Sequence, residues 1–252
     1  MIPDPGDLDA MVLAWLALCW LGYPRLVALI GRRRPSIDSS MLAMRKVWMY
    51  GMLHRDFRVP DTMLMGQVIQ SVAFFASGTI IVVGALVGAL ARVDSLAAFS
   101  EGFAPGVPTS PESIRLALLA LLGIFIYGFF MFTWTLRQYN YCIAMIGAAP
   151  MPPIEAGRHS RLADALARSI TGATLSFNAG LRCYYFAFAT LAWFLHPLLV
   201  PVTVALTMIM LIRRQFHSDV ATNIADVLAE YGLADSSNST VTVNGKVRTT
   251  RE

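Results

Sequence analysis

Residues 114–136 read IRLALLALLGIFIYGFFMFTWTL, and after Arg115 they carry no charge. A helix needs roughly 20 apolar residues to cross the ~30 Å hydrocarbon layer. In lipid the backbone must satisfy its N–H and C=O groups within the segment, so a stretch of this kind is a helix. The same reading, carried outward, finds further apolar runs at residues 8–30, 62–90, 178–195 and 198–212. The last two are short and flank His196-Pro197, where proline removes a donor and clashes with the preceding turn. They read as a hairpin of two short spans, the other reading being one kinked span. The expected fold class is all-α: a multi-pass transmembrane helical bundle of five spans with cytoplasmic amphipathic helices.

Composition agrees with lipid as the solvent. Of the chain, 56% is hydrophobic and 14% charged, against about 25% charged in soluble domains. No dense basic face suggests nucleic acid as a partner. Cys19, Cys142 and Cys183 are odd in number and far apart, which excludes a disulfide framework and a CxxC site. HExxH, GxSxG, P-loop and GxGxxG signatures are missing, and His54-Arg55-Asp56 has no kinase core around it. No cofactor and no metal site are expected. Asp4, Asp7 and Asp9 precede the first run in place of a basic signal region, so that run is expected to be retained.

Charge sets the orientation, because Lys and Arg favour the cytoplasmic side. Five crossings place Arg32, Arg33, Arg34, Arg45, Lys46, Arg55, Arg58, Arg137, Arg158, Arg161, Arg168, Arg182, Arg213 and Arg214 on one side. Arg92 and Arg115 fall on the other, beside Asp94, Glu101 and Glu112; four crossings would strand Arg213 and Arg214 there. The expected topology is N-terminus outside and C-terminus cytoplasmic. Arg greatly outnumbers Lys, a sign of a GC-rich bacterial genome, so the expected location is a bacterial inner membrane. Trp20, Tyr23, Trp134, Tyr139, Tyr141, Tyr184 and Tyr185 fall at inner boundaries and Trp193 at the outer one, as aromatic belts do.

Residues 1–218 form the expected membrane domain, and residues 219–252 an amphipathic helix followed by a disordered tail. The outer loop, 92–113, is rich in Gly, Pro and Ser and has no fold of its own. Residues 41–53 read as an interfacial helix, with Met41, Met44, Trp48 and Met52 on one face and cations toward anionic lipid heads. That methionine stripe has no Cys or His beside it to make a soft-metal site. Residues 156–171 read as a second cytoplasmic helix, with Asp164 and Arg168 at i,i+4 spacing. Asp61 is placed to N-cap the second span.

The informative residues are polar groups at the inner ends of spans. They are Gln67 and Gln70 with Ser71 and Ser77; Arg137 and Asn140 beside Trp134, Gln138 and Tyr141; and Asn178 with Arg182. Arg55, Asp56, Arg58 and Asp61 precede the second span. Charges at this depth normally face the bundle interior and pair. In one reading Asp56 and Asp61 neutralise Arg137 and Arg182 and the cluster is structural. In the other, cations in excess of carboxylates leave a site for a lipid phosphate or small carboxylate, suited to the forked donors of Arg. Gly84 and Gly88 have small-xxx-small spacing, which serves either a contact between copies or packing within one chain.

The stretches Tyr50-Gly51, RDFRVPD (55–61), QSVAFFAS (70–77), FTWTLRQYN (132–140), GAAP (147–150), FNAGLR (177–182) with Tyr184-Tyr185-Phe186, and WFLHP (193–197) are distinctive. In these the chain resembles a family of bacterial and plant membrane proteins catalogued as domain of unknown function 599, over roughly residues 8–218. The resemblance implies no catalytic role; it implies that the polar cluster coincides with the family's motifs. The expected function is a non-enzymatic oligomeric or accessory membrane component that organises lipid or protein partners. Anionic headgroups on the cytoplasmic side, a second copy and another membrane protein are its expected partners. The alternative is a small-anion transporter or channel with an inner-leaflet arginine site.

Overall fold

The computed structural model describes residues 5–31, 36–96, 110–216 and 219–231. Arg32, Arg33 and Arg34, residues 97–109 of the outer loop, His217, Ser218 and the tail from 232 onward lie outside the described residues. The described elements are α1 (Pro5–Gly31), α2 (Ile37–Leu53), α3 (Val59–Leu90), α4 (Pro111–Gly147), α5 (Ala156–Thr190), a 3₁₀ turn (Leu191–Phe194), α6 (Leu199–Phe216) and α7 (Asp219–Glu230). Of these, α1, α3, α4 and α6 are long and apolar enough to cross a membrane.

The axis of the bundle is the antiparallel pair α4 and α5. Trp193 Nε1, just past α5, donates to Ser113 Oγ in the first turn of α4 at 3.1 Å. Further along, Gly180 faces the ring of Phe132, Gln138 Nε2 donates to Ser176 Oγ at 3.0 Å, and the Tyr139 and Thr174 hydroxyls meet at 3.1 Å. The contact thus runs the length of both helices, from the Ser113 end to the basic end that carries Arg55, Arg58 and Arg214. Small residues permit it: a Cβ added at Gly128 would lie 3.2 Å from that of Cys183.

Two apolar cores lie along this axis. Toward the Ser113 end, Leu16, Leu121, Phe186, Trp193 and Val204 join α1, α4, α5 and α6. Toward the basic end, Met52, Met65, Phe132, Ile146 and Ala167 join α2, α3, α4 and α5. Between helices immersed in lipid, such packing stabilises through close contact rather than through removal of apolar surface from water.

Several expectations are corrected here. The helix expected at 156–171 and the fourth span expected at 178–195 are one unbroken helix, α5; the change from polar to apolar residues within it does not end the helix. Of the methionine face of α2, Met52 is fully buried and Trp48 packs on the same core, beside Met49 and Leu53, whereas Met41 and Met44 are half-buried. Ser36 caps α2 through a reciprocal bond with Ser39, the capping-box arrangement. Among the belt aromatics, Trp193, Tyr139 and Tyr23 are buried, whereas Trp134 and Tyr141 face outward. At His196-Pro197 the chain does break, and His196 Nδ1 accepts from the Leu198 amide at 3.1 Å to shape the turn into α6. Helix α7 packs on α2 through buried Ile224 and Leu228.

Candidate functional site

The polar residues at the basic end form two separate groups. The first joins α2, α3 and the segment after α4. Asp61 lies in the first turn of α3 and is 1% exposed. Its Oδ1 accepts from Trp48 Nε1 at 2.7 Å and from Arg55 Nη1 at 2.9 Å. It is therefore not an N-cap: Arg58 holds that position without a side-chain bond, and the Asp61 carboxylate is spent on α2. Arg58 reaches across to the carbonyls of Ala149 (2.8 Å) and Pro150 (2.6 Å). Carbonyls left open beyond a helix end need donors, and Arg58 supplies them, so this group works as a structural clasp.

The second group lies between α1, α2, α5 and α6, around a cavity of about 680 Å³. Val27, Ala28, Ile37, Leu175 and Leu211 give it apolar walls, and Asp38, Asn178, Arg182, Tyr185, Arg214 and Gln215 give it polar ones. The Arg182 guanidinium lies over the Tyr23 ring, 5.3 Å from its centroid. Arg214 Nη1 donates to the Tyr185 hydroxyl at 3.0 Å. Asp38 accepts from Gln215 Nε2 at 2.7 Å. Among the described residues neither Arg182 nor Arg214 has a carboxylate within ion-pair distance. Arg182 also borders a second cavity of about 400 Å³ with Trp20, Pro24, Arg25 and Tyr127.

The two aspartates thus do not neutralise Arg137 and Arg182. Asp61 pairs with Arg55, and Asp56 is exposed. Arg137 and Asn140 are exposed on the outward face of α4, since Thr135, Tyr139, Cys142 and Ile146 take the inward one. Gln67 and Gln70 are exposed on α3. So are Gly84 and Gly88, where an added Cβ would meet nothing within 4 Å; packing within one chain does not account for their spacing.

Other groupings join residues that nothing in the sequence places together. Tyr23, Asp38, Tyr185, Arg214 and Gln215 join Arg182 only because α1, α2 and α6 converge on α5. Arg45, on α2, donates to Thr171 Oγ1 at 3.2 Å, and burial lowers its pKa from the ordinary value while Tyr139 and Asp38 raise it. His54 and His159 stack with ring centroids 3.9 Å apart, and each bonds the carbonyl of Tyr50 (2.9 and 3.0 Å). At the other end, Ser113 Oγ donates to Asp9 Oδ1 at 3.0 Å while accepting from Trp193. The three cysteines are free and buried. Among the described residues no three His, Cys, Asp or Glu side chains converge as metal ligands.

Among the described residues the regular structure is all helical, and four of the helices are long and apolar enough to cross a membrane. The chain belongs to the family described as "Protein of unknown function, DUF599", which matches residues 11–220. Neither the curated proteins nor the solved structures contain a match.

Proposed function

We propose that the chain is a five-span component of a bacterial inner membrane that holds the headgroup of an anionic phospholipid at Arg182 and Arg214. It does no chemistry of its own and organises lipid around the helices and partners that surround it. The observation that carries this reading is a pair of guanidiniums that, among the described residues, have no carboxylate within ion-pair distance and line a cavity of about 680 Å³ with apolar walls, the Asp38 carboxylate there being held by Gln215. A tyrosine ring beneath half-buried Arg182 contributes about 0.5–2 kcal/mol and leaves its forked donors free, and Arg214 is exposed on the same cavity. A phosphate can accept from both forks, which are the strong, charge-assisted kind of hydrogen bond. Chain-like apolar walls beside the cations suit an amphiphile better than a free inorganic ion.

The pairing of α4 and α5 supports the five-span reading. A helix that runs antiparallel to a spanning helix from end to end spans with it, although α5 is too polar to be found by hydropathy. Thr174 and Ser176 bond α4 and their own backbone. The clustering of Arg at one end supports an N-terminus outside and a C-terminus in the cytoplasm. For a transport reading the cavity has to continue toward the Ser113 end. Beyond Tyr23 stand Leu16, Cys19, Cys183 and Phe186, all buried, which favours a static lipid site.

The test is lipid retention by the purified full chain in native mass spectrometry. Phosphatidylglycerol should stay bound where phosphatidylcholine of equal chain length is lost, inorganic phosphate should not displace it, and Arg182→Gln/Arg214→Gln should remove the preference. Equal retention of both lipids by the wild-type chain contradicts the proposal.

A further inference from the structure

We infer that the outward face of α3 is a self-association surface, through which two copies of the chain pair in the membrane. This rests on α3 being a spanning helix and not on the arginine cavity. Along the exposed side of α3, one line of residues recurs in alternating steps of three and four, Gln67, Gln70, Phe74, Ser77, Ile81, Gly84 and Gly88, with Val68, Ser71, Ile80, Ala85 and Val87 exposed beside it. That is the heptad spacing of a left-handed helix pair. The seam lies opposite the face that α3 buries against its own bundle, where Asp61, Met65, Val72, Ala76 and Thr79 are found. Phe74 and Ile81 stand out from the seam at 73% and 71% exposure.

The chemistry of the seam selects its occupant. The helix is ~48 Å long at 1.5 Å per residue, and a ~30 Å hydrocarbon layer centred on it covers about twenty residues, Gln67 and Gln70 among them. Neither carboxamide makes a side-chain hydrogen bond among the described residues, although Ser71 donates to the Gln67 carbonyl at 3.1 Å. Lipid tails offer an amide nothing. A carboxamide both donates and accepts, so it complements its own image across a two-fold axis. A second copy therefore satisfies both sides with one set of residues. A hollow of about 640 Å³ along Gln67, Gln70, Ser71 and Phe74 leaves room for a facing side chain. Ser77, Gly84 and Gly88 let the two backbones approach toward the other end.

Disulfide formation under copper–phenanthroline oxidation tests this in native membranes, with the full chain and single added cysteines. Ser77→Cys and Ile81→Cys lie on the seam and should give homodimer in high yield. Leu64→Cys and Val87→Cys are also exposed on α3 but off the seam, and should give background. Gln70→Leu should lower the Ser77→Cys yield roughly threefold to tenfold, the scale of an interhelical polar contact. Gly84→Leu/Gly88→Leu should lower it too, and an added Cβ meets nothing within 4 Å there, so the monomer still folds. Arg182→Gln/Arg214→Gln should leave it unchanged, which separates this surface from the lipid site. Equal yields on and off the seam, no homodimer, or cross-linking only to another protein overturns the inference.

Discussion

The Arg182 guanidinium lies over the ring of Tyr23, 5.3 Å from its centroid. A charge carried by α5 is thereby held against a π face on α1, beside a cavity that Arg214 of α6 also lines. This fixes the direction of the cation while leaving its forked donors available. Tyr23→Phe keeps the ring face and should hold phosphatidylglycerol within about twofold of wild type, whereas Tyr23→Leu should weaken retention roughly threefold or more, the scale of an exposed cation–π contact. Native mass spectrometry of the two variants distinguishes them; equal losses would show that the ring is not what positions Arg182.

Asp61 is the buried acceptor that ties α2 to α3. Asp61→Ala leaves the Trp48 N–H without its partner and should cost about 2 kcal/mol. The share from Arg55 is small because that side chain is 51% exposed and its pairing is screened. Asp56→Ala, at an exposed position, should cost under about 0.5 kcal/mol. Thermal unfolding in detergent measures both, and a similar drop for each would remove Asp61 from the clasp.

Gly180 faces Phe132 so closely that an added Cβ would lie 2.5 Å from the ring. Phe132 is fully buried and stacked with Phe75, so it has little room to move. Gly180→Ala should destabilise by about 1–3 kcal/mol, while Gly84→Ala should be neutral or slightly stabilising because alanine is the better helix former. The ranking of their melting temperatures checks this, and a harmless Gly180→Ala would mean that α4 and α5 sit farther apart.

Ser113 joins Asp9 of α1 to Trp193 beyond α5, and all three side chains are buried. Ser113→Ala removes the donor to Asp9 and the acceptor for Trp193 together, at about 1–3 kcal/mol. Thermal unfolding of the variant, with tryptophan emission as a second reading of the Trp193 surroundings, tests the link. Unchanged stability and emission would mean that these bonds do not hold the Ser113 end closed.

The long apolar helices were legible because nothing but lipid or a large core explains runs such as 116–136 without charge. The extent of α5 was not. Its first half is polar, and sequence marks a change of surroundings more strongly than the continuity of a helix. The grouping of charges was misread for a different reason. Depth along a helix can be counted, but its facing depends on the inward stripe. For α4 that stripe is Thr135, Tyr139, Cys142 and Ile146, and it turns Arg137 out of the bundle. Asp61 had the position of a cap, and nothing local announces that Trp48, on another helix, takes its carboxylate. The partners of Arg182 come from α1, α2 and α6, and no spacing within one helix reports that convergence. Gln67, Gln70, Ser71 and Ser77 stand out in the sequence as polar groups; only the buried residues opposite show that they look outward.

The most direct test of the central claim is a competition in lipid nanodiscs. The full chain is reconstituted in equal phosphatidylglycerol and phosphatidylcholine, extracted, and its retained lipids are weighed by native mass spectrometry beside Arg182→Gln/Arg214→Gln and an Arg137→Gln control. A retained lipid that is chiefly phosphatidylglycerol in the wild type and in Arg137→Gln, and shows no preference in the double variant, is the predicted result. The same phosphatidylglycerol preference in all three proteins would contradict a headgroup site at Arg182 and Arg214.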